Sequence, residues 1–433
     1  MRAPLRLCLV LLFAATPSRA AAASLAGDNV IVVDFDTLRA DALENPRGLT
    51  PNLDALAARS FRFTTAVAQA PWTLPSTMSF FTSLYPHQHG VLNKYAVFSE
   101  DRKELARLPS RFSTMAEVFR RSGYATAGFT GDAGVGSEFG FGRGFDVYFD
   151  SVSFGGFDTT FPLALNWLKD HSDRKFFLFI HGYDVHGQFP LPAGFRSRFA
   201  DPAYRGPFTC AESEFLDLRM KTIKGEPISI STGDARFWRD RYDEQTLRAD
   251  ERFGRFWKEF GALAVSSRTV VVIMGDHGEQ FGEHGGFDHG MTLYDELLRV
   301  PLIIGVPGAA PERIDAQVRL IDVLPTLVDW LGLSADSQTR RQMQGASLVP
   351  LTRGRPLALD AFAETSFLLQ TEKCALRTSD GWKLVYDFET LDSELYDLRR
   401  DPGEKRDLRR ERLDVAKTLA ERLLRWNAAR APD

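Results

Sequence analysis

The run Thr269-Val-Val-Val-Ile-Met-Gly is apolar and rich in β-branched residues, and it empties into Asp276-His-Gly-Glu-Gln-Phe-Gly-Glu-His-Gly-Gly-Phe-Asp-His. A continuous apolar stretch of this length, without polar alternation, predicts a strand buried on both faces, as in parallel sheets covered by helices. Such sheets build their sites at the carboxyl ends of their strands. Asp276, His277, His284 and His289 therefore bring oxygen and imidazole donors to one strand end, a set that suits a divalent metal. Taken alone, the same residues also fit a solvated polar loop.

Two further segments favour a site. Asn29-Val-Ile-Val-Val-Asp-Phe-Asp repeats the pattern of a buried strand ending in acids, with Asp36 at its carboxyl end. Carboxylates in such places are rarely buried without a partner, so Asp36 and Asp276 read as ligands. Asp34 lies on the same strand face as Asp36 and reads as an additional ligand or, preferably, as a partner standing behind the ligands. In Ala70-Pro-Trp-Thr-Leu-Pro-Ser-Thr-Met, Thr73 precedes a helix-like stretch, which places its hydroxyl near a helix amino terminus that favours anions. Ser76 and Ser79 read as helix-start residues.

Strands are expected at 29–35, 124–129, 176–181, 269–274 and 301–305. Helices are expected at 51–59, 77–84, 112–122, 161–170, 240–262 and 320–332. Their alternation predicts an α/β fold with a mostly parallel sheet flanked by helices. Residues 187–235 read as a long polar, irregular loop. After residue 345 the pattern changes to short strands at 359–366, 373–378 and 382–388 and a closing Arg-rich helix at 409–428, a small α+β subdomain over 346–433 behind a catalytic domain over 24–345.

Read together, these segments resemble the sulfatase family of the alkaline-phosphatase superfamily. The resemblance also rests on Thr50-Pro-Asn-Leu-Asp-Ala-Leu-Ala, Tyr85-Pro-His-Gln-His-Gly-Val, Phe176-Phe-Leu-Phe-Ile-His-Gly-Tyr-Asp-Val-His, Thr292-Leu-Tyr-Asp-Glu-Leu-Leu-Arg-Val-Pro and Glu394-Leu-Tyr-Asp-Leu-Arg-Arg-Asp-Pro-Gly-Glu. It implies an alkaline-phosphatase-like sandwich in which Asp36, Thr73, Asp276 and His277 surround one divalent metal: Ca²⁺, Mg²⁺ or Mn²⁺, with Zn²⁺ admitted by the histidines. It further implies that His289 contacts the substrate's anionic group or a second metal. His186 approaches the leaving-group oxygen as a general acid. Asp184, with His186 and His289, would complete a second metal site. His284 is a further candidate and His181 a weaker one, whereas His87 and His89 read as packing residues and His171 as solvated.

The departure from the family lies at the nucleophile. Its usual members carry Cys or Ser in Cys/Ser-x-Pro-x-Arg, oxidised to formylglycine, whereas this chain reads Thr73-Leu-Pro-Ser-Thr77. Threonine cannot yield the aldehyde, and Thr77 stands where the family has Arg. The lysine that accompanies formylglycine in the family is not evident either, and Lys94 is a candidate for part of its role. The resemblance thus implies a metal-dependent hydrolase of sulfate esters, with a two-metal phosphodiesterase or phosphonate hydrolase using Thr73 and a silent glycan-binding relative as the other readings. The substrate is expected to be an anionic ester, with sulfated glycans among its classes. Phe139, Phe141, Phe145, Phe154, Phe157 and Phe189 read as packing rather than as platforms for a sugar.

Arg2 and Arg6 ahead of the apolar Leu7–Ala15 and a small-residue stretch predict a cleaved secretory signal over 1–23, hence a secreted or periplasmic protein without a stable membrane anchor. The formal charge of −4 argues against nucleic acid, whose binding needs clustered Lys and Arg. Cys210 and Cys374 are too few for a disulfide framework, and a pair between them stays open.

Overall fold

A computed structural model describes residues 28–98, 102–187 and 197–429. The predicted signal segment and Phe189 lie outside the described residues. The buried-strand pattern at Asn29–Phe35 (β1) forms the middle of an eight-stranded sheet, with every residue of the strand buried. The other strands are Phe61–Val67 (β2), Ala125–Phe129 (β3), Val147–Phe149 (β4), Phe176–Gly182 (β5), Thr269–Met274 (β6), Arg299–Gly305 (β7) and Glu312–Arg319 (β8). Their spatial order is β8-β2-β7-β6-β1-β5-β3-β4. β1 pairs in parallel with both β5 and β6, and β7 runs antiparallel to its neighbours β6 and β2.

Alternate residues of β1 enter two separate cores. Val30 and Val32 face Leu74, Met78 and Phe81 of helix Thr73–Thr82 (α2) and Met115, Val118 and Phe119 of helix Met115–Arg121 (α3). Ile31, Val33 and Phe35 face Leu53 and Leu56 of helix Pro51–Ala57 (α1), Phe157 and Phe161 of helix Phe157–Asp170 (α4) and Phe253 of helix Thr232–Gly261 (α6). Both faces are therefore covered, as the unbroken apolar strands require.

Residues 187–235 are less irregular than expected. Glu212–Ile223 forms a helix (α5), and α6 begins at Thr232 rather than 240. α5 buries only Phe215, Leu218 and Ile223, a stripe too sparse to stand out from its charged neighbours. Strands β2, β4 and β8 were also missed. β2 and β8 lie towards one side of the sheet, and their mixed burial replaces the apolar run with a broken pattern.

The last quarter of the chain forms an antiparallel sheet of Ala361–Thr365 (β9), Lys373–Arg377 (β10), Trp382–Asp387 (β11) and Asp392–Asp397 (β12). Leu376, Leu384 and Leu395 pack under Ala416, Leu419 and Leu423 of the closing helix Leu413–Asn427 (α7). Val67, Leu293 and Leu298 meet Ala361, Ala363 and Val385 where this sheet docks on the larger one. At the same seam the buried Lys383 Nζ lies 2.9 Å from Asp295 Oδ1 and 2.7 Å from Glu404 Oε1. Cys210 and Cys374 are two buried, unpaired thiols. No helix among the described residues is long and apolar enough to cross a membrane.

Candidate active site

Three adjacent strands converge on one point. β1 ends at Phe35, so Asp36 sits just beyond it; β6 delivers Asp276 and His277, and β5 carries His181 near its end. Thr73 opens α2, so its hydroxyl stands at the first turn of a helix, where unpaired backbone N–H groups favour negative charge. Thr73 Oγ1 lies 3.1 Å from Asp36 Oδ2 and 3.3 Å from His277 Nε2, and His181 Nε2 lies 3.2 Å from Asp36 Oδ2. One oxygen of Asp276, Oδ1, accepts from the backbone N–H groups of Thr37 at 3.2 Å and His277 at 2.9 Å. The peptide carbonyl of Gly278 stands 2.9 Å from His277 Nδ1, a partner that fixes the ring with Nε2 toward the acids.

The remaining oxygens show what the arrangement accommodates. Asp36 Oδ1, Asp276 Oδ2 and both carboxylate oxygens of Asp34 are buried without a hydrogen-bond partner. Burial, with mutual repulsion among the acids, raises the Asp276 and Asp34 carboxyls well above their usual range. Burial also pushes Asp36 up to about 7, against the lowering influence of His289 and Thr73. His277 is pushed well down by burial and by His289, and His181 to about 4, so both imidazoles are neutral donors. Asp36, Asp276 and His277 place a ligand atom each within 4.8 Å of one another. Clustered carboxyl oxygens without partners, whose charge is disfavoured until a cation joins them, fit a hard divalent ion beside neutral imidazole nitrogens. Of the two roles expected for Asp34, the unpartnered state of both its oxygens fits an additional ligand better than a partner standing behind the ligands.

His289 falls in an adjoining group. Its Nδ1 is 3.1 Å from Glu279 Oε1 and 2.8 Å from Asp288 Oδ1, and Asp288 Oδ2 is 2.8 Å from Arg219 Nε on α5. Glu279, Asp288 and His289 also place a ligand atom each within 4.8 Å of one another, and the two acids hold the His289 imidazole well above its usual range despite burial. The His289 ring is 4.5 Å from that of His277 and 5.0 Å from that of His186. His186 is driven well down by burial and by the cationic His289. A cavity of about 240 Å³ above Thr73 is lined by His186, His289, Arg219, Lys94, Trp72 and Tyr183, among others.

Other expected residues are placed elsewhere. Asp184 accepts from the Phe157 N–H at the start of α4 across 2.6 Å and pairs with Arg252 at 3.3 Å, so its carboxylate is occupied away from the metal-type cluster. His284 lies at the seam with the carboxyl-terminal sheet, 2.8 Å from Glu296 and stacked on Tyr294 at 3.7 Å. His87 packs against Glu364 and Trp426, and His89 against Ser79 and the Pro75 carbonyl. His171 stacks on Trp167 rather than standing free in solvent. Thr77 is fully buried on α2.

Sequence reasoning missed Glu279, Asp288, Arg219 and Tyr183. Glu279 and Asp288 were visible as acids flanking His277 and His289. Tyr183, whose hydroxyl accepts from the Gly134 N–H at 2.9 Å and donates to the Asp132 carbonyl at 3.2 Å, stood unremarked between His181 and Asp184. Arg219 carried no local signal at all. Of the six phenylalanines, Phe139, Phe141, Phe145 and Phe157 are buried packing residues, but Phe154 is 58 % exposed at the cleft.

A central, mostly parallel sheet between helical layers, with acids and imidazoles at its carboxyl edge and a small antiparallel sheet behind, is the alkaline-phosphatase-like architecture of ester hydrolases. The solved phosphonate monoester hydrolase of Agrobacterium radiobacter has this fold, with a TM-score of 0.72 and 21 % identity over 93 % of this chain and 95 % of that one. The sulfatase family model matches residues 28–333, and the model of the N-sulphoglucosamine sulphohydrolase carboxyl-terminal region matches 282–429. The chain belongs to the sulfatase family. It is 24 % identical to the Delta 4,5-hexuronate-2-O-sulfatase of Bacteroides thetaiotaomicron over 93 % of this chain and 88 % of that protein. It is 25 % identical to the choline-sulfatase of Rhizobium meliloti over 87 % of this chain and 81 % of that one.

Proposed function

We propose that this chain is a metal-dependent hydrolase of sulfate esters that uses Thr73 itself as the nucleophile. The observation that carries this reading is the Thr73 hydroxyl at the first turn of α2, 3.1 Å from Asp36 Oδ2 and 3.3 Å from His277 Nε2, on the floor of a cavity rimmed by cations. Asp36, Asp276 and His277, with Asp34 beside them, would hold a divalent cation, which supplies the charge that lowers the pKa of a nearby hydroxyl and polarises an ester oxygen.

The chain's own groups account for the rest. Thr73 Oγ gives its proton to Asp36 Oδ2 and attacks sulfur, the bond from sulfur to the leaving oxygen breaks, and a threonine sulfate forms; water then attacks sulfur while giving a proton to His186, the bond from sulfur to Thr73 Oγ breaks, Asp36 returns the proton to Thr73, and hydrogen sulfate leaves. The His289 cation binds the anionic ester oxygens, and Glu279 and Asp288 orient its ring. His186 hands a proton to the leaving oxygen. The His289 charge that depresses His186 is offset once an anion sits between them, which raises the proton affinity of His186 at the moment it is needed.

The sulfatases among its relatives support the sulfate reading. A second reading, hydrolysis of phosphodiesters or phosphonate esters, is favoured by Thr73, since a threonine side chain cannot become formylglycine. The two separate in an assay of aryl sulfate, phosphate monoester, phosphodiester and phosphonate esters with each divalent metal. Metal-dependent turnover of the aryl sulfate is expected; turnover of the phosphorus esters alone assigns the second reading, and turnover of none overturns both. Metal analysis of the purified protein should find one ion per chain. We also propose export through residues 1–23, which amino-terminal sequencing tests: a retained Met1 overturns it.

A further inference from the structure

The cavity above Thr73 continues into a second one. A chamber of about 250 Å³ on the far side of His186 is lined by Phe215 and Gln245, and it shares Phe154, Tyr183, His186 and Arg219 with the first. The two chambers thus meet at the residue placed to protonate the leaving oxygen. A bound ester with its head over Thr73 and its bridging oxygen at His186 must send its leaving group into the second chamber.

The second chamber has a defined chemistry. Phe154 presents an exposed ring 5.5 Å from His186 and 5.1 Å from Tyr183, held at φ 56°, a conformation that bulky residues rarely adopt. An exposed ring held by these contacts leaves a face open on which a flat ligand can stack. Arg219 stands in the wall common to both chambers, anchored through Nε to Asp288, a single carboxylate shared with the His289 cation. Asp184 also borders this chamber, but its carboxylate is engaged by Arg252 and the Phe157 N–H.

We propose that the second chamber is a leaving-group subsite that takes a ring carrying its own negative charge, stacked on Phe154 and held through that charge by Arg219. This rests on cleavage at Thr73 as proposed above. Asp288 is a positioning residue that keeps Arg219 and His289 aimed at the same ligand. An acidic sugar ring and an aryl carboxylate share this chemistry.

The test compares 4-sulfooxybenzoate with its methyl ester, two substrates that differ at the ring in charge and one methyl group, and adds a 2-O-sulfated hexuronate to separate sugar from aryl. The full chain should show a KM about tenfold lower for the acid than for the methyl ester, as one charge-assisted contact to arginine predicts. Arg219→Gln should erase that difference and Arg219→Lys should restore part of it. Phe154→Ala, at an exposed side chain, should weaken acid and methyl ester together and preserve their ratio. Calorimetric binding of 4-hydroxybenzoate and methyl 4-hydroxybenzoate reads the subsite without turnover. Preference for the acid, lost in Arg219→Gln, upholds the subsite even if no sulfate is cleaved, which would overturn only the assigned reaction. Equal binding of the two phenols, or a preference that survives Arg219→Gln, overturns the subsite.

Discussion

Ser76 donates its hydroxyl to the backbone carbonyl of Asp276 across 2.7 Å, and both residues are fully buried. This bond ties the first turn of α2 to the end of β6. Thr73 and two of the candidate ligands are therefore set by one rigid unit of packed helix and strand rather than by independent loops, and placement of this kind can supply several kcal/mol of a reaction barrier.

The proposed mechanism turns on the hydroxyl of Thr73. Thr73→Val keeps the shape and removes the attacking oxygen, so kcat should fall by about a thousandfold or more, while metal content stays near that of the parent because Asp36, Asp276 and His277 remain. Thr73→Ser should retain measurable turnover. Single-turnover kinetics and metal analysis on the two variants check this; a valine variant as fast as the parent makes Thr73 structural.

Gly134 is the floor's tightest neighbour. A Cβ at this position would lie 2.9 Å from both Cβ and Cγ2 of Thr73 and 3.2 Å from the Tyr183 hydroxyl. Gly134→Ala should therefore displace the nucleophile by a fraction of an ångström and lower kcat about tenfold or more, with little change in melting temperature. Steady-state kinetics beside a thermal melt separates this from general destabilisation.

Metal removal should make stability depend on pH. Asp36 titrates near 3.8 when unfolded and at about 7 in the folded, metal-free site, and Asp276 and Asp34 move in the same direction. The folded chain thus holds protons that the unfolded chain has released, so the stability present below the unfolded value is lost progressively as pH rises to about 7. Melting temperatures in chelator should fall across that window, and added divalent metal should flatten the curve. A chelated protein whose melting temperature is unchanged across the window would contradict the buried acid cluster.

At the seam, Lys383 is wholly buried between Asp295 and Glu404. Lys383→Met leaves two buried acids facing each other and should cost about 3–5 kcal/mol. Denaturant unfolding measures the loss, and its onset should be seen first in the antiparallel sheet of β9 to β12.

The readable part of this molecule is the part where chemistry follows directly on a buried strand. Asp36, Asp276 and His277 each come within a few residues of an apolar run, so local pattern alone brought them to one edge. Asp34 was placed on the correct strand, but whether its oxygens are spent is a matter of three-dimensional neighbours. The contact between Arg219 and Asp288 joins a sparse, charged helix to a loop far along the chain, and no periodicity encodes such a meeting. Asp184 misled for the converse reason: its position beside His186 looked like a ligand's, yet the start of α4 and Arg252 claim its carboxylate.

Because β1 lies between β5 and β6, the segments that form the cluster are separated by most of the chain and meet only when the middle of the sheet has closed. Loop closure of that span precedes any gain from the contacts, which makes the pairing of β6 with β1 a late and slow event in folding. The acids at the strand ends would repel one another as they approach, so a divalent ion present in the folding medium should speed the final step as well as stabilise its product. The same geometry means that a chain ending between Gly182 and Thr269 carries β1, β5, β3 and β4 but lacks Asp276 and His277, so with the proposed ion site in place, recovery of ion binding on refolding should time the assembly of the whole domain.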